Sequence, residues 1–367
     1  MKKKILFIGS FKTTSKDGSV GGQMFACKTI VNSPISDSID WTLIDTTADS
    51  NILATTYKRL RKALLRLIKF TYYIVFYKFD YVLIFVADGW SFWEKGFMSI
   101  IAKWLSKSKV IIAPRSGFII NDIDKNGTLS KFIKFVFKKN DVIICQSGYW
   151  KKEFENCIKS KNDSKFIIIE NMIDFDKYAE LPIRNLKVNE KVTILFMAWV
   201  TRNKGIFELI NAVKMLKKDK LNFKIIIAGK GDEFEKIKEE IKLADLTEEI
   251  TLMGWVLGSR KLELLAESDI FVLPTYFDGY PNSLLEAMAS GKACVATKVG
   301  SIQDMISDME TGILIDKKNP NQLYDSLKIL IQNPDLRYKI SLNARENTKN
   351  TNSISTGILK FNNLFKN

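Results

Sequence analysis

Short apolar runs recur along the chain, separated by polar and glycine-containing stretches. KILFIG (4–9), YVLIFV (81–86), KVIIAP (109–114), DVIICQ (141–146) and KFIIIEN (165–171) form a first set. VTILFMAW (192–199), FKIIIAGKG (223–231), ITLMGWV (250–256), IFVLPTY (270–276), KACVAT (292–297) and GILID (312–316) form a second. Runs this continuous predict strands buried on both faces, as in a parallel sheet covered by helices. Segments of helical period fill the gaps. In 205–219, apolar residues fall at 206, 209, 210, 213 and 216, and 233–246 reads similarly. Strand–helix alternation in both halves predicts an α/β protein of two doubly wound, Rossmann-like domains. The charged, proline-containing stretch 174–191 reads as the linker between domains 1–173 and 192–345, with 346–367 as a C-terminal helix returning to the first domain.

Residues 57–70, YKRLRKALLRLIKF, place Leu60, Leu64, Leu67 and Ile68 on one stripe and basic residues elsewhere. Such a helix either lies on an anionic membrane surface or packs on its own sheet with a solvated basic face. The opening MKKKILFIGSFKTT has too short an apolar run for a secretory signal and reads as a first strand. No window approaches the ~18 apolar residues of a spanning helix, which points to a cytoplasmic protein, or one peripheral on the inner face of the plasma membrane.

Charge refines this picture. The first 190 residues carry 31 Lys and Arg against 19 Asp and Glu, and the remainder 25 against 22, within a net charge of +15. A basic first half fits an anionic partner, or a Lys-rich compositional habit. Zinc-finger, RNA-recognition and helix-turn-helix signatures are missing, so nucleic acid is not the expected partner. The four cysteines are dispersed without zinc spacing and fit free thiols. Histidine is absent, which excludes Ser–His and Cys–His hydrolases, H-E-x-x-H proteases and zinc deaminases.

The densest chemistry lies in DGYPNSLLEAMASG, 278–291. Ligands of open α/β sheets bind beyond the carboxyl ends of strands, and IFVLPT ends just before Asp278 and Gly279. Asn282 or Ser283 suits an N-cap, and Gly291 suits C′ of the helix between. The helix start offers free N–H groups and partial positive charge to an anion, while Asp278 and Glu286 can accept from sugar hydroxyls. A nucleotide sugar fits this arrangement. The pairs Asp122/Asp124 and Asp174/Asp176 satisfy D-x-D but lie in polar, loop-like surroundings, and no metal ligand set is expected.

DGYPNSLLEAMASGKACVATKVGSIQDMI resembles the nucleotide-sugar segment of the retaining glycosyltransferases called family 4, which have the two-domain GT-B fold with a central cleft. The family usually carries Glu-x7-Glu; here the first acid is Asp278 and the second Glu286. The resemblance implies that Asp278 lies near the transferred sugar and that Glu286 binds the ribose. It further implies donor contacts from Gly279, Tyr280, Pro281, Asn282, Ser283 and Leu284. RNKGIFELINAV (202–213) resembles the family's Lys-Gly segment, implying a diphosphate role for Lys204 and, beside it, Arg202. The family's usual arginine, five residues before the lysine, is Trp199 here. AGKGDE (228–233), with Gly229, and MGWVLG (253–258), with Trp255 and Val256 at the base, match as well. IIENMIDFDKY is similar to the interdomain N-G-V-D segment, with Met172 in the glycine's place.

The first half matches loosely. GSVGGQ (18–23) resembles the glycine loop that approaches the donor phosphates, through Gly21 and Gly22, although a surface turn has the same composition. Arg115 in APRSG faces acceptor or donor, or is an ordinary surface arginine. The resemblance implies a metal-independent, cofactor-free retaining transferase. It would move a sugar from a nucleoside-diphosphate sugar to a glycan or lipid-linked acceptor in bacterial surface polysaccharide synthesis. A nucleotide-sugar epimerase on the same architecture is the alternative.

Overall fold

A computed structural model describes residues 2–12, 22–47, 56–159 and 164–366. The chain forms two compact units: residues up to Met172 joined by those from Ile354 onward, and Ile173–Ser353.

The first unit holds β1 (Lys3–Gly9), β2 (Ile39–Asp45), β3 (Tyr81–Val86), β4 (Lys109–Pro114), β5 (Val142–Cys145) and β6 (Phe166–Ile168), in the order β2-β1-β3-β4-β5-β6. Every pairing is parallel. β3 is buried throughout, as its unbroken apolar run requires. β2 has no such run in the sequence. It is an edge strand paired only with β1, and its burial alternates irregularly. The helix Ile354–Lys366 closes one face of this sheet. Phe361, Leu364 and Phe365 join Ile5, Phe7 and Tyr81 in a core cluster, and the Tyr81 hydroxyl donates to the Phe365 carbonyl at 2.9 Å. Each buried aromatic of this kind contributes roughly 1.5–3 kcal/mol. Met172, where the resemblance implies glycine, is buried in the same cluster.

The second unit holds β7 (Val192–Met197), β8 (Phe223–Ala228), β9 (Ile250–Gly254), β10 (Ile270–Leu273), β11 (Ala293–Thr297) and β12 (Ile313–Ile315), in the parallel order β12-β11-β10-β7-β8-β9. The chain runs outward from β7 through β8 and β9, then restarts at β10 on the other side. The switch point, where such sheets bind ligands, therefore falls between β7 and β10.

Residues 174–191 are not a free linker. They belong to the second unit, as do residues 346–353. A helix forms over Phe175–Ala179 with Tyr178 buried. Arg345 donates to the Leu181 carbonyl at 2.6 Å and Lys292 to that of Pro182 at 3.0 Å. Lys292 is itself buried, and that burial pulls its ammonium down to about 8. Long-range donors thus hold a stretch whose own composition looks solvated.

Candidate functional site

Two loops meet at the switch point of the second unit. The segment after β7 carries Asn203, Lys204 and Gly205; the segment after β10 carries Pro274 to Asp278. The Asn203 carbonyl accepts from the Tyr276 N–H at 2.8 Å and from the Thr275 hydroxyl at 3.1 Å, tying the loops together. Gly205 has φ +71°, and a Cβ there would lie 1.9 Å from the Pro274 carbonyl oxygen. Gly205→Ala is expected to cost at least about 2 kcal/mol, from left-handed strain plus the clash. For a unit of this size that lowers the melting temperature by roughly 4 °C or more, readable by calorimetry.

This knot delivers Lys204 Nζ to Asp278 Oδ2 at 2.5 Å, with both side chains largely covered. The helix Asn282–Ala289 starts four residues later. Its N-cap is Pro281, not Asn282 or Ser283, and no side chain caps it among the described residues. Gly291 follows at φ +64°, in the left-handed conformation expected at C′. At 1.5 Å per residue Glu286 lies about 6 Å along the axis from Asn282. Glu286 is only 5% exposed. Its Oε1 accepts from Lys261 Nζ at 2.6 Å and from the Tyr178 hydroxyl at 3.2 Å. Burial and the Glu286 charge push the Tyr178 phenol far up, so it stays a donor. The loop Val299–Ser301 presses on the site from β11. Gly300, at φ +51°, brings its Cα where a Cβ would meet the Asp278 carbonyl at 2.1 Å.

The other expected residues distribute unevenly. Leu284 is fully buried, and the Tyr280 hydroxyl is turned inward to accept from Asn352 at 2.6 Å, so these two support the loop from inside. Gly279, Asn282 and Ser283 are partly exposed beside Asp278, and Pro281 is buried. Arg202 does not join Lys204: it is 62% exposed, stacks on Phe207 at 4.8 Å and reaches Glu233 at 4.0 Å. Trp199, 56% exposed beyond β7, meets Trp255 beyond β9 edge-to-face at 4.5 Å, with Val256 partly buried behind. Gly229 follows β8, between them in the sheet order.

In the first unit, Arg115 follows β4. Its guanidinium stacks on Phe85 at 4.0 Å and donates to Asn171 Oδ1 at 2.9 Å, while Nε is buried without a hydrogen-bond partner among the described residues. Burial lowers it to about 10. Gly22 is exposed at the start of the helix Gly22–Val31, and Gly21 lies outside the described residues. Asp122 is engaged by the Gly89 N–H and Lys125. Sequence reasoning missed Lys261 and Tyr178. Lys261 has no distinguishing local signal; the aromatic residues of FDKY were the only hint of burial at Tyr178.

Residues 178–347 match the family described as glycosyl transferases group 1. A Campylobacter jejuni protein, N,N'-diacetylbacillosaminyl-diphospho-undecaprenol alpha-1,3-N-acetylgalactosaminyltransferase, is 33% identical over 242 residues, covering 62% of this chain and 59% of its own length. From the same organism, N-acetylgalactosamine-N,N'-diacetylbacillosaminyl-diphospho-undecaprenol 4-alpha-N-acetylgalactosaminyltransferase is 27% identical over 64% of each chain. The chain thus spans about six tenths of the length of the curated relatives it matches. Sucrose-phosphate synthase from Thermosynechococcus elongatus superposes with a TM-score of 0.79 at 15% identity, over 100% of this chain and 98% of its own. Anabaena HepE, solved with UDP and glucose, gives 0.75 at 16% identity over 99% of each. At such identities the solved structures share the fold alone.

Proposed function

We propose that this chain, a group 1 glycosyltransferase by its 178–347 segment and its α/β GT-B fold, transfers a sugar from a nucleoside-diphosphate sugar to a glycan or lipid-linked glycan acceptor. The observation that carries the reading is the convergence of Lys204, Asp278 and the start of the Asn282–Ala289 helix at the switch point of one sheet. Lys204 and the helix start are placed to stabilise charge accumulating on a leaving diphosphate, the kind of preorganised electrostatics that dominates many enzymes. Asp278, four residues before that start, is the acid nearest the transferred sugar. Glu286, fixed by Lys261 and Tyr178, keeps an acceptor for the ribose hydroxyls. Trp199 and Trp255 give the base an aromatic wall.

Configuration is retained in this reading: acceptor and leaving group share one face of the sugar, and the departing phosphate takes the acceptor's proton. No histidine base is required. Lys204 and the helix start supply the positive charge, so neither a divalent cation nor an organic cofactor is needed. The lipid-linked relatives favour an acceptor in bacterial surface polysaccharide synthesis, met at a membrane by a peripheral enzyme.

A thermal-shift panel of uridine, guanosine and adenosine diphosphate sugars, run in EDTA, tests the donor. At about 100 times Kd the true donor adds roughly 2.7 kcal/mol of stability. A flat panel for all three nucleotides would remove the assignment.

A further inference from the structure

A helix on a sheet normally turns its apolar stripe inward. The helix Thr56–Phe76 does not. Leu60, Leu64, Ile68, Tyr72, Val75 and Phe76 are exposed, Leu60 by 67% and Phe76 by 70%. Among its described residues only Phe70 and Ile74 are buried. The stripe from Leu60 to Phe76 runs roughly 24 Å along the axis. Leu60, Leu64 and Ile68 thus face away from the sheet, while Leu67, Phe70 and Ile74 anchor the helix to it.

The neighbouring helix Trp90–Leu105 widens this surface. Between the two lies a groove of about 410 Å³, lined by Leu67, Ile68, Tyr72, Val75 and Phe76 from one side and Ile101 from the other. Trp104 and Leu105 stand three and four residues beyond Ile101, hence on the same face, and both are exposed, Trp104 by 75%. Contiguous apolar surface of this kind marks an interaction site. Its charge selects the occupant. Lys58, Arg59, Arg61, Lys62, Arg66 and Lys69 all lie on the Thr56–Phe76 helix, which has no acidic residue. Arg66 is committed to Glu94 at 2.6 Å and Lys62 is also engaged, while Lys58, Arg59, Arg61 and Lys69 are exposed. A second copy meeting this face about a two-fold axis would bring like charges together. An anionic bilayer complements all three features: cations for headgroups, an indole for the interface and an apolar stripe for the acyl region.

We propose that this face docks on anionic lipid, with headgroups on the exposed residues Lys58, Arg59, Arg61 and Lys69 and one hydrocarbon chain seated in the groove between the two helices. The proposal rests on the lipid-linked acceptor of the reading above. It extends the expected 57–70 footprint through Phe76 and onto Trp104 and Leu105.

Co-sedimentation of the full chain with phosphatidylcholine vesicles, with and without phosphatidylglycerol, tests it. The chain should pellet only with the anionic vesicles, and less at high salt. Phe76→Asp should weaken this about tenfold or more. Lipids brominated in mid-chain should quench tryptophan emission, and Trp104→Phe should remove most of that quenching. Retention in the supernatant with anionic vesicles overturns the proposal, as does a wild-type dimer that Phe76→Asp merely splits. Vesicle binding without quenching overturns the seated chain. The donor-induced thermal shift, measured on the same samples, separates the two readings. If it persists while vesicle binding fails, docking alone falls; if no donor shifts the wild type, the transferase reading falls.

Discussion

Lys204→Ala is expected to slow sugar transfer by about 10²–10³-fold, mostly in kcat. The ammonium sits on a tied loop against Asp278, so it is already in place before the leaving group gains charge. Alanine removes that charge and leaves Asp278 without its partner, facing the same diphosphate. Arg202 cannot substitute, because it is directed onto Phe207 and Glu233. The fold should survive, since Lys204 adds no core contact and Gly205 keeps the loop geometry. Steady-state rates with the donor found by thermal shift, alongside a circular dichroism melt, check both halves. A rate near that of the wild type, in a folded variant, ends the assignment of Lys204 to the diphosphate.

Glu286→Gln should act on donor binding instead. Hydrogen bonds to a charged carboxylate contribute about 1.5–3 kcal/mol each, so donor KM should rise by roughly 10- to 100-fold with a smaller change in kcat. A complication follows from the burial of Glu286: its loss leaves the Lys261 ammonium half-covered beside a neutral amide. Stability should fall as well, by an amount the solvent around Lys261 reduces. The double variant Glu286→Gln/Lys261→Met removes both charges and should recover stability without recovering affinity. If it recovers both, Glu286 only holds Lys261 in place and does not meet the donor.

The β-strands were the most legible part of this chain because parallel strands buried on two faces need unbroken apolar runs. IDWTLID, the edge strand β2, lacks one: Asp40 is exposed and Leu43 half-exposed, as an edge permits. The stretch 174–191 misled for a different reason. Its Tyr178 hydroxyl and its Leu181 and Pro182 carbonyls are held by Glu286, Arg345 and Lys292, partners about a hundred or more positions away that leave no local trace. Lys204, Asp278 and Glu286 could be named in advance because each lies in a segment that resembles the family's; of the three, the structure pairs Lys204 with Asp278, while Glu286 meets Lys261 and Tyr178. Lys261 could not, since an ion pair across 25 residues looks like any lysine on an amphipathic helix. The basic helix was recognisable as amphipathic, but its wheel is the same whether the stripe faces a sheet or solvent.

The first unit is assembled from two separated parts of the chain, and the later part brings Phe361 and Phe365 to the cluster around Phe7. During synthesis from the N-terminus, all of Ile173–Ser353 must leave the ribosome before that cluster can close. The second unit can therefore mature first, while the nascent sheet of the first waits with an open apolar face. Until the closing helix arrives that face stays uncovered, and a chain ending before Phe361 would leave it so.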